Sequence, residues 1–178
     1  MKKEKIVPEV AVDVTNEHDV RMQKVKTLRE HGIEPWPYRE EVNTTCAGIV
    51  DEFSEDKESP EYAVAGRIMT IRLHGKTAFV HLQDRTSQIQ VYIRKDIVGE
   101  KDFDFFEKFI DMGDIVWFQG KVFKTKTGEI TLKADKLKLV SKSLRPLPEK
   151  FHGLADIETI YRQRYLDLIS NPDNADDK

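Results

Sequence analysis

The 178 residues are 34% charged and 39% hydrophobic, with a net charge of −3, which describes a small core under a large hydrated surface. No run approaches the ~18–20 apolar residues of a membrane span, and the basic start MKKEKIVPEV lacks the apolar stretch of a signal peptide. Cys46 is alone, which excludes an internal disulfide and suits a reducing, cytoplasmic setting; five histidines without metal-ligand spacing and no CxxC argue against a structural zinc site.

The charge is unevenly spread. Residues 62–142 hold 15 Lys/Arg against 10 Asp/Glu, a net of +5; the remainder holds 14 against 22, a net of −8. A modest basic excess therefore sits in the segment with strand periodicity, and it permits polyanion binding without requiring it.

Residues 1–15 have no period and are expected to fray. In NEHDVRMQKVKTLREHG, Asn16 is a helix cap, acidic residues open the helix, basic residues follow, and Gly32 closes it. Its apolar stripe of Val25 and Leu28 with Val20 or Met22 is narrow, so the helix either packs on another element or carries a basic ridge. Pro35 and Pro37 impose an extended segment that Trp36 and Tyr38 are placed to anchor. Residues 44–53 read as a short helix, and SEDKESPE as an acidic loop. Residues 16–61 thus lead into the β region.

From Tyr62 the period becomes two. Strands are expected over 62–73, 76–84 and 88–95, with Gly66 as a bulge. DFDFFEKFID follows as a helix with Phe103, Phe106 and Ile110 on one face, ended by Gly113. Two long strands, 114–126 and 129–140, flank the turn TKTG. Three short antiparallel strands, a helix and two more strands predict a mainly β fold: a five-stranded OB-fold Greek-key barrel over 62–142, with the helix between strands three and four plugging one end. A small sandwich or another small barrel are the alternatives. Residues 143–178 are the linker and a C-terminal helix in which Tyr161, Tyr165, Leu166 and Ile169 face a partner.

In the stretch TAFVHLQD, alternation places Ala78, Val80 and Leu82 inward and Thr77, Phe79, His81 and Gln83 outward. The next strand turns out Gln88, Gln90, Tyr92 and Arg94. OB-folds bind oligonucleotides across this face, bases stack on exposed rings, and amides read base edges. Phe79 and Gln90 form a stack-and-read pair on adjacent strands. The competing reading buries Phe79 and Tyr92 under a loop or the N-terminal helix, and both stay open at this point. His81, Tyr92, Arg94, Lys124 and Lys126 are further candidates for RNA contacts, although hairpin lysines commonly serve solubility alone. No hydrolase, Walker-loop or HExxH motif is present.

RMQKVKTLREHGIEPWPY, VAGRIMTIRLHGKTAFVHLQD, IQVYI, MGDIVWFQGKVFKTKTGEITL and RPLPEKFHGLADIETIYRQRYLDLISN resemble the class II lysyl-tRNA synthetases, from about residue 17 to 172. The resemblance implies an anticodon-binding OB-fold for a U-rich loop of lysine tRNA. It matches Phe79 to the family's stacking phenylalanine, and Gln90, Arg72 and Glu129 to its other anticodon contacts. Glu129 is suited to accept from a uracil N–H that cytosine lacks. The parent enzyme uses ATP and Mg2+ and is expected to be a homodimeric ligase. This chain ends where the catalytic domain would begin, so no catalytic, metal or cofactor residue is assigned in it, and it is expected to be an inactive, excised anticodon half. DRTSQ lacks the glycines common at that turn, and His81 stands where a small hydroxyl residue is expected. General single-strand binding, or the anticodon domain of an aspartyl or asparaginyl enzyme, is the alternative function; a protein-interaction barrel with Phe79 buried is the other rival.

Overall fold

The computed structural model describes residues 16–37, 39–147 and 169. Expectations for residues 1–15, Tyr38, Tyr161, Tyr165 and Leu166 lie outside the described residues. Five strands carry the body: β1 (Tyr62–His74), β2 (Thr77–Gln83), β3 (Gln88–Arg94), β4 (Ile115–Lys124) and β5 (Ile130–Ser141). They pair in the order β1-β2-β3-β5-β4, and β4 returns to β1, so the sheet closes on itself. Alternation drives the closure. Val64, Ile68, Val80, Leu82, Val91, Ile93, Phe118 and Leu132 are fully buried, and on β2 and β3 their sequence neighbours alternate to the outer side. Burying such side chains is worth roughly 1.5–3 kcal/mol each.

The expected fold needs three corrections. The sheet is mixed, because β3 and β5 run parallel; alternation is the same for either direction, so it cannot reveal this. The connection between β3 and β4 is two helices, α3 (Lys95–Val98) and α4 (Glu100–Phe109), joined at Gly99 with φ 93°. Helix α4 stops at Phe109 with Ile110 as its cap, and Gly113 (φ 94°) instead serves the turn before β4. Finally, the bulge of β1 lies at Met69, which falls between the pairs Ile68–Leu82 and Thr70–His81. Gly66 instead permits a close approach of two strands, since a Cβ there would stand 2.6 Å from the Gln83 carbonyl oxygen of β2. The phenylalanines Phe103 and Phe106 of α4 are buried in the barrel's core, with Phe105 and Phe109 packed beside them.

The preceding segment wraps the barrel. Helix α1 (Glu17–Glu30) is capped by Asn16, which accepts from His18 N at 3.1 Å, and it buries Arg21, Val25, Thr27 and Leu28. It docks through Val25 and Leu28 and through polar contacts. Arg21 donates to the Met112 and Ser143 carbonyls at 3.0 and 3.1 Å, and Lys24 meets Asp111 at 2.6 Å. Trp36 then ties the extended segment down, its Nε1 donating to the Lys142 carbonyl at 3.0 Å. Farther along, Glu41 and Asn43 lie on the barrel, with Trp117 donating to the Glu41 carbonyl and Asn43 bonding the backbone of Ala63. Helix α2 (Cys46–Glu52) starts on two acceptors. Thr45 caps Gly48, and Asp84 of the β2–β3 turn accepts from Cys46 N at 2.8 Å.

Under α1 lies a buried ionic cluster. The side chain of Lys142 is inaccessible and contacts Asp111, Asp114 and the Phe109 carbonyl. Asp114 also accepts from the backbone N–H groups of Asp111 and Ser143 at 2.8 and 2.7 Å. Burial acts to raise both carboxyls. At Asp111, Lys142 and Lys24 together outweigh it and hold the group below its ordinary range; Asp114 shares only Lys142, and burial leaves it raised. Every donor of Lys142 is thereby used, and truncating it leaves the buried Asp114 without a cation while Asp111 keeps Lys24. Replacing Lys142 by Met is expected to lower the unfolding free energy by ~3–5 kcal/mol, read by urea denaturation. The exposed Lys121–Glu58 pair serves as the comparison, and Lys121→Ala is expected to leave the midpoint where it was.

Cys46 is completely buried, and burial, with Asp84 adding to it, pushes its thiol up to about 12. The nucleophile in thiol chemistry is the thiolate, so a disulfide reagent at pH 8 is expected to leave the native protein unmodified. Denaturation should expose one reactive thiol per chain.

Candidate nucleic-acid interface

Among the described residues, the outer face across β1, β2, β3 and the start of β5 carries the exposed Arg72 and Lys133 and the half-buried Phe79, His81, Gln90 and Tyr92. The pairing register builds it as two rows. Thr70, His81, Gln90 and Thr131 are successive cross-strand partners in one row. Arg72, Phe79, Tyr92 and Lys133 are partners in the next. The bulge at Met69 sets this alignment, since it brings Thr70 and Arg72 outward opposite His81 and Phe79.

The second row is aromatic at its centre. Phe79 and Tyr92 lie 4.7 Å apart between ring centroids, tilted by 31°. Tyr92 in turn meets Phe123 of β4 edge-on at 6.2 Å. All three rings are only half-buried among the described residues, so the reading that buries Phe79 under a loop or the N-terminal helix does not hold. Phe123 escaped the sequence reading. Its signal was present in GKVFK, where Val122 faces the core and the alternation turns Phe123 out. Arg72 is exposed at the open end of this row and has no ion-pair partner among the described residues.

The first row is polar and ordered. Thr131 Oγ1 donates to Gln90 Oε1 at 3.0 Å, and Gln90 Nε2 donates to Glu129 Oε2 at 2.8 Å. These bonds fix which way the Gln90 amide points. Glu129 leaves the β4–β5 turn, where its N–H donates to Thr125 Oγ1 at 3.0 Å. On its other side, His81 Nε2 stands 3.5 Å from Glu129 Oε1, and Thr70 Oγ1 lies 2.6 Å from His81 Nδ1. A donor amide and an acceptor carboxylate thus stand side by side, open to solvent and next to a stacking ring. Uracil presents a carbonyl beside an N–H on its pairing edge, the complement of this pair. Cytosine presents an unprotonated ring nitrogen, which would face the carboxylate lone pairs.

Four of the sequence candidates, Phe79, Gln90, Arg72 and Glu129, are therefore gathered on one face, with His81 and Tyr92 among them. Arg94 and Lys124 are engaged otherwise. Arg94 forms a two-pronged pair with Asp96 at 2.9 and 2.6 Å. Lys124 is paired with Glu55 of the acidic loop, whose Ser59 also accepts from Val122 N. Lys126 is exposed in the hairpin turn.

Residues 62–140 match the family model described as an OB-fold nucleic acid binding domain. The chain matches lysine–tRNA ligases through its OB-fold region. It is 50% identical over 171 residues to the lysine–tRNA ligase of Staphylococcus haemolyticus, covering 92% of this chain and 34% of that one. It is 51% identical over 164 residues to the enzyme of Listeria innocua, covering 87% and 32%. The lysine–tRNA ligase of Thermosipho melanesiensis is 47% identical over 158 residues, covering 86% and 32%. The chain thus spans about a third of the length of the curated relatives it matches.

Proposed function

We propose that this chain is the RNA-gripping part of a lysine–tRNA ligase and holds the U-rich anticodon loop of lysine tRNA on the open face of the barrel. The observation that carries it is the Gln90–Glu129 pair beside the Phe79 ring. A base stacks on Phe79, the Gln90 amide donates to its carbonyl, and Glu129 accepts its N–H. Arg72, on the strand beside Phe79, supplies a cation for a phosphate, with Lys126 at the hairpin. Tyr92 backs the stacking ring. Aminoacylation with ATP and Mg2+, a homodimeric assembly and a cytoplasmic site of action belong to the proposed parent enzyme. The chemistry of lysine activation is assigned to the part of the relatives that the match leaves uncovered.

The test is titration of a fluorescent stem-loop bearing UUU in its loop, at low salt because phosphate contacts weaken as salt rises. Phe79→Ala is expected to weaken binding by roughly 5- to 150-fold, the equivalent of ~1–3 kcal/mol for one stacked base. A loop with C at the central position is expected to bind wild type at least about tenfold more weakly, as the loss of a hydrogen bond to a charged group implies. Equal affinity for both loops would favour general single-strand binding. Equal affinity in all three combinations would overturn the proposal.

A further inference from the structure

His81 shares the reading face, yet its geometry differs from that of a base contact. Its ring is mostly buried, with a side-chain exposure of 22%. Both nitrogens point at protein: Nδ1 at the Thr70 hydroxyl, 2.6 Å away, and Nε2 at Glu129 Oε1, 3.5 Å away. Thr70 and His81 are direct cross-strand partners, and so are His81 and Gln90. The ring is therefore held by the sheet itself, whereas Glu129 sits outside it, just before β5 begins at Ile130.

A carboxylate in that position needs restraint. Glu129 has three rotatable side-chain bonds and an exposure of 45%. Gln90 grips only Oε2, about which the group can still swing. A second restraint on Oε1 would define the plane of the carboxylate and the direction of its remaining lone pairs.

We infer that His81 is a positioning residue for Glu129: with the Thr70 hydroxyl donating to Nδ1, the Nε2–H faces Oε1 and fixes the carboxylate as the acceptor that separates uracil from cytosine. Resting on the proposed anticodon function, the assignment gives His81 an effect on base choice that passes through Glu129 and no contact of its own with RNA. Phe79 supplies stacking to either pyrimidine, so overall grip and discrimination separate. Losing His81 costs discrimination and largely spares binding of the cytosine loop. A glutamine at 81 can offer an N–H to Glu129 from the same strand position and restores part of the effect.

The test compares affinities for the U-centred and C-centred stem-loops in wild type, His81→Ala, His81→Gln, Glu129→Gln and the double variant His81→Ala/Glu129→Gln. His81→Ala is expected to cut the U-over-C ratio by up to about fivefold, the scale of a part-exposed polar contact, with C-loop affinity within about twofold and the melting curve cooperative. His81→Gln is expected to recover part of the ratio. In the Glu129→Gln background, His81→Ala should change the ratio no further, because the partner it acts through is gone. A ratio unchanged in His81→Ala, or a full additional loss in the double variant, overturns the positioning role while leaving the anticodon function standing. A wild type that shows no preference for U overturns both.

Discussion

The parallel pairing of β3 with β5 is the constraint from which the site follows. It closes the sheet across a sequence gap of some forty residues, placing Gln90 beside Thr131 and hence beside Glu129. Neither residue has meaning alone: an outward glutamine on a strand is ordinary, and a glutamate after a hairpin turn is ordinary. Side by side they present a donor and an acceptor at fixed spacing. The closure also brings Phe123 round to Tyr92, so the aromatic ladder is a product of the barrel as much as of any strand. The donor–acceptor pair is thus a product of the hydrogen-bond topology of the fold.

What surrounds the barrel decides which of its outer surfaces is free. Helix α1 and the segment to Asn43 lie over other parts of the wall, held by Arg21, Trp36, Trp117 and the buried Lys142 cluster. Such a cluster is costly to desolvate and contributes little net stability. Its use is directional, since few arrangements satisfy Arg21, Lys24, Asp111, Asp114 and Lys142 at once. The cluster fixes the wrap in a single position, and among the described residues the face carrying Phe79 stays open. The acidic loop occupies Lys121 and Lys124 of β4, the strand paired with β5, through Glu58 and Glu55.

Much of this was legible in the sequence, for identifiable reasons. Period-two alternation reported the five strands to within a residue or two, because each has one buried face. Asn16 and Gly32 marked the ends of α1. Alternation and the expected OB-fold face singled out Phe79 and Gln90; the resemblance matched these and added Arg72 and Glu129, and alternation agreed that Arg72 faces out. Three things were not legible. Strand direction leaves no mark on alternation, so the β3–β5 parallel pair was missed. A bulge can occur at any residue that tolerates the kink, and Gly66 drew attention away from Met69 because glycine signals both bulges and close approaches. The role of His81 depends on distances to Thr70 and Glu129, residues 11 and 48 positions away in the chain, and no local pattern encodes that meeting. Lys142 was likewise hidden, since a lysine at the end of a strand reads as solvated until its two aspartates are brought to it.

The proposed binding mode lays RNA on the two rows running from Arg72 and Thr70 across to Lys133 and Thr131. The most direct measurement is heteronuclear NMR of the chain titrated with the U-centred stem-loop, following backbone amides together with the Gln90 side-chain amide. The account predicts the largest shifts at Phe79, His81, Gln90, Tyr92 and Glu129, with the Gln90 NH2 resonances moving in parallel with the uracil imino proton, and little change at Arg21, Trp36 or Lys142. Shifts concentrated on α1 and the Lys142 side, with the Gln90 amide unmoved at saturation, would contradict it.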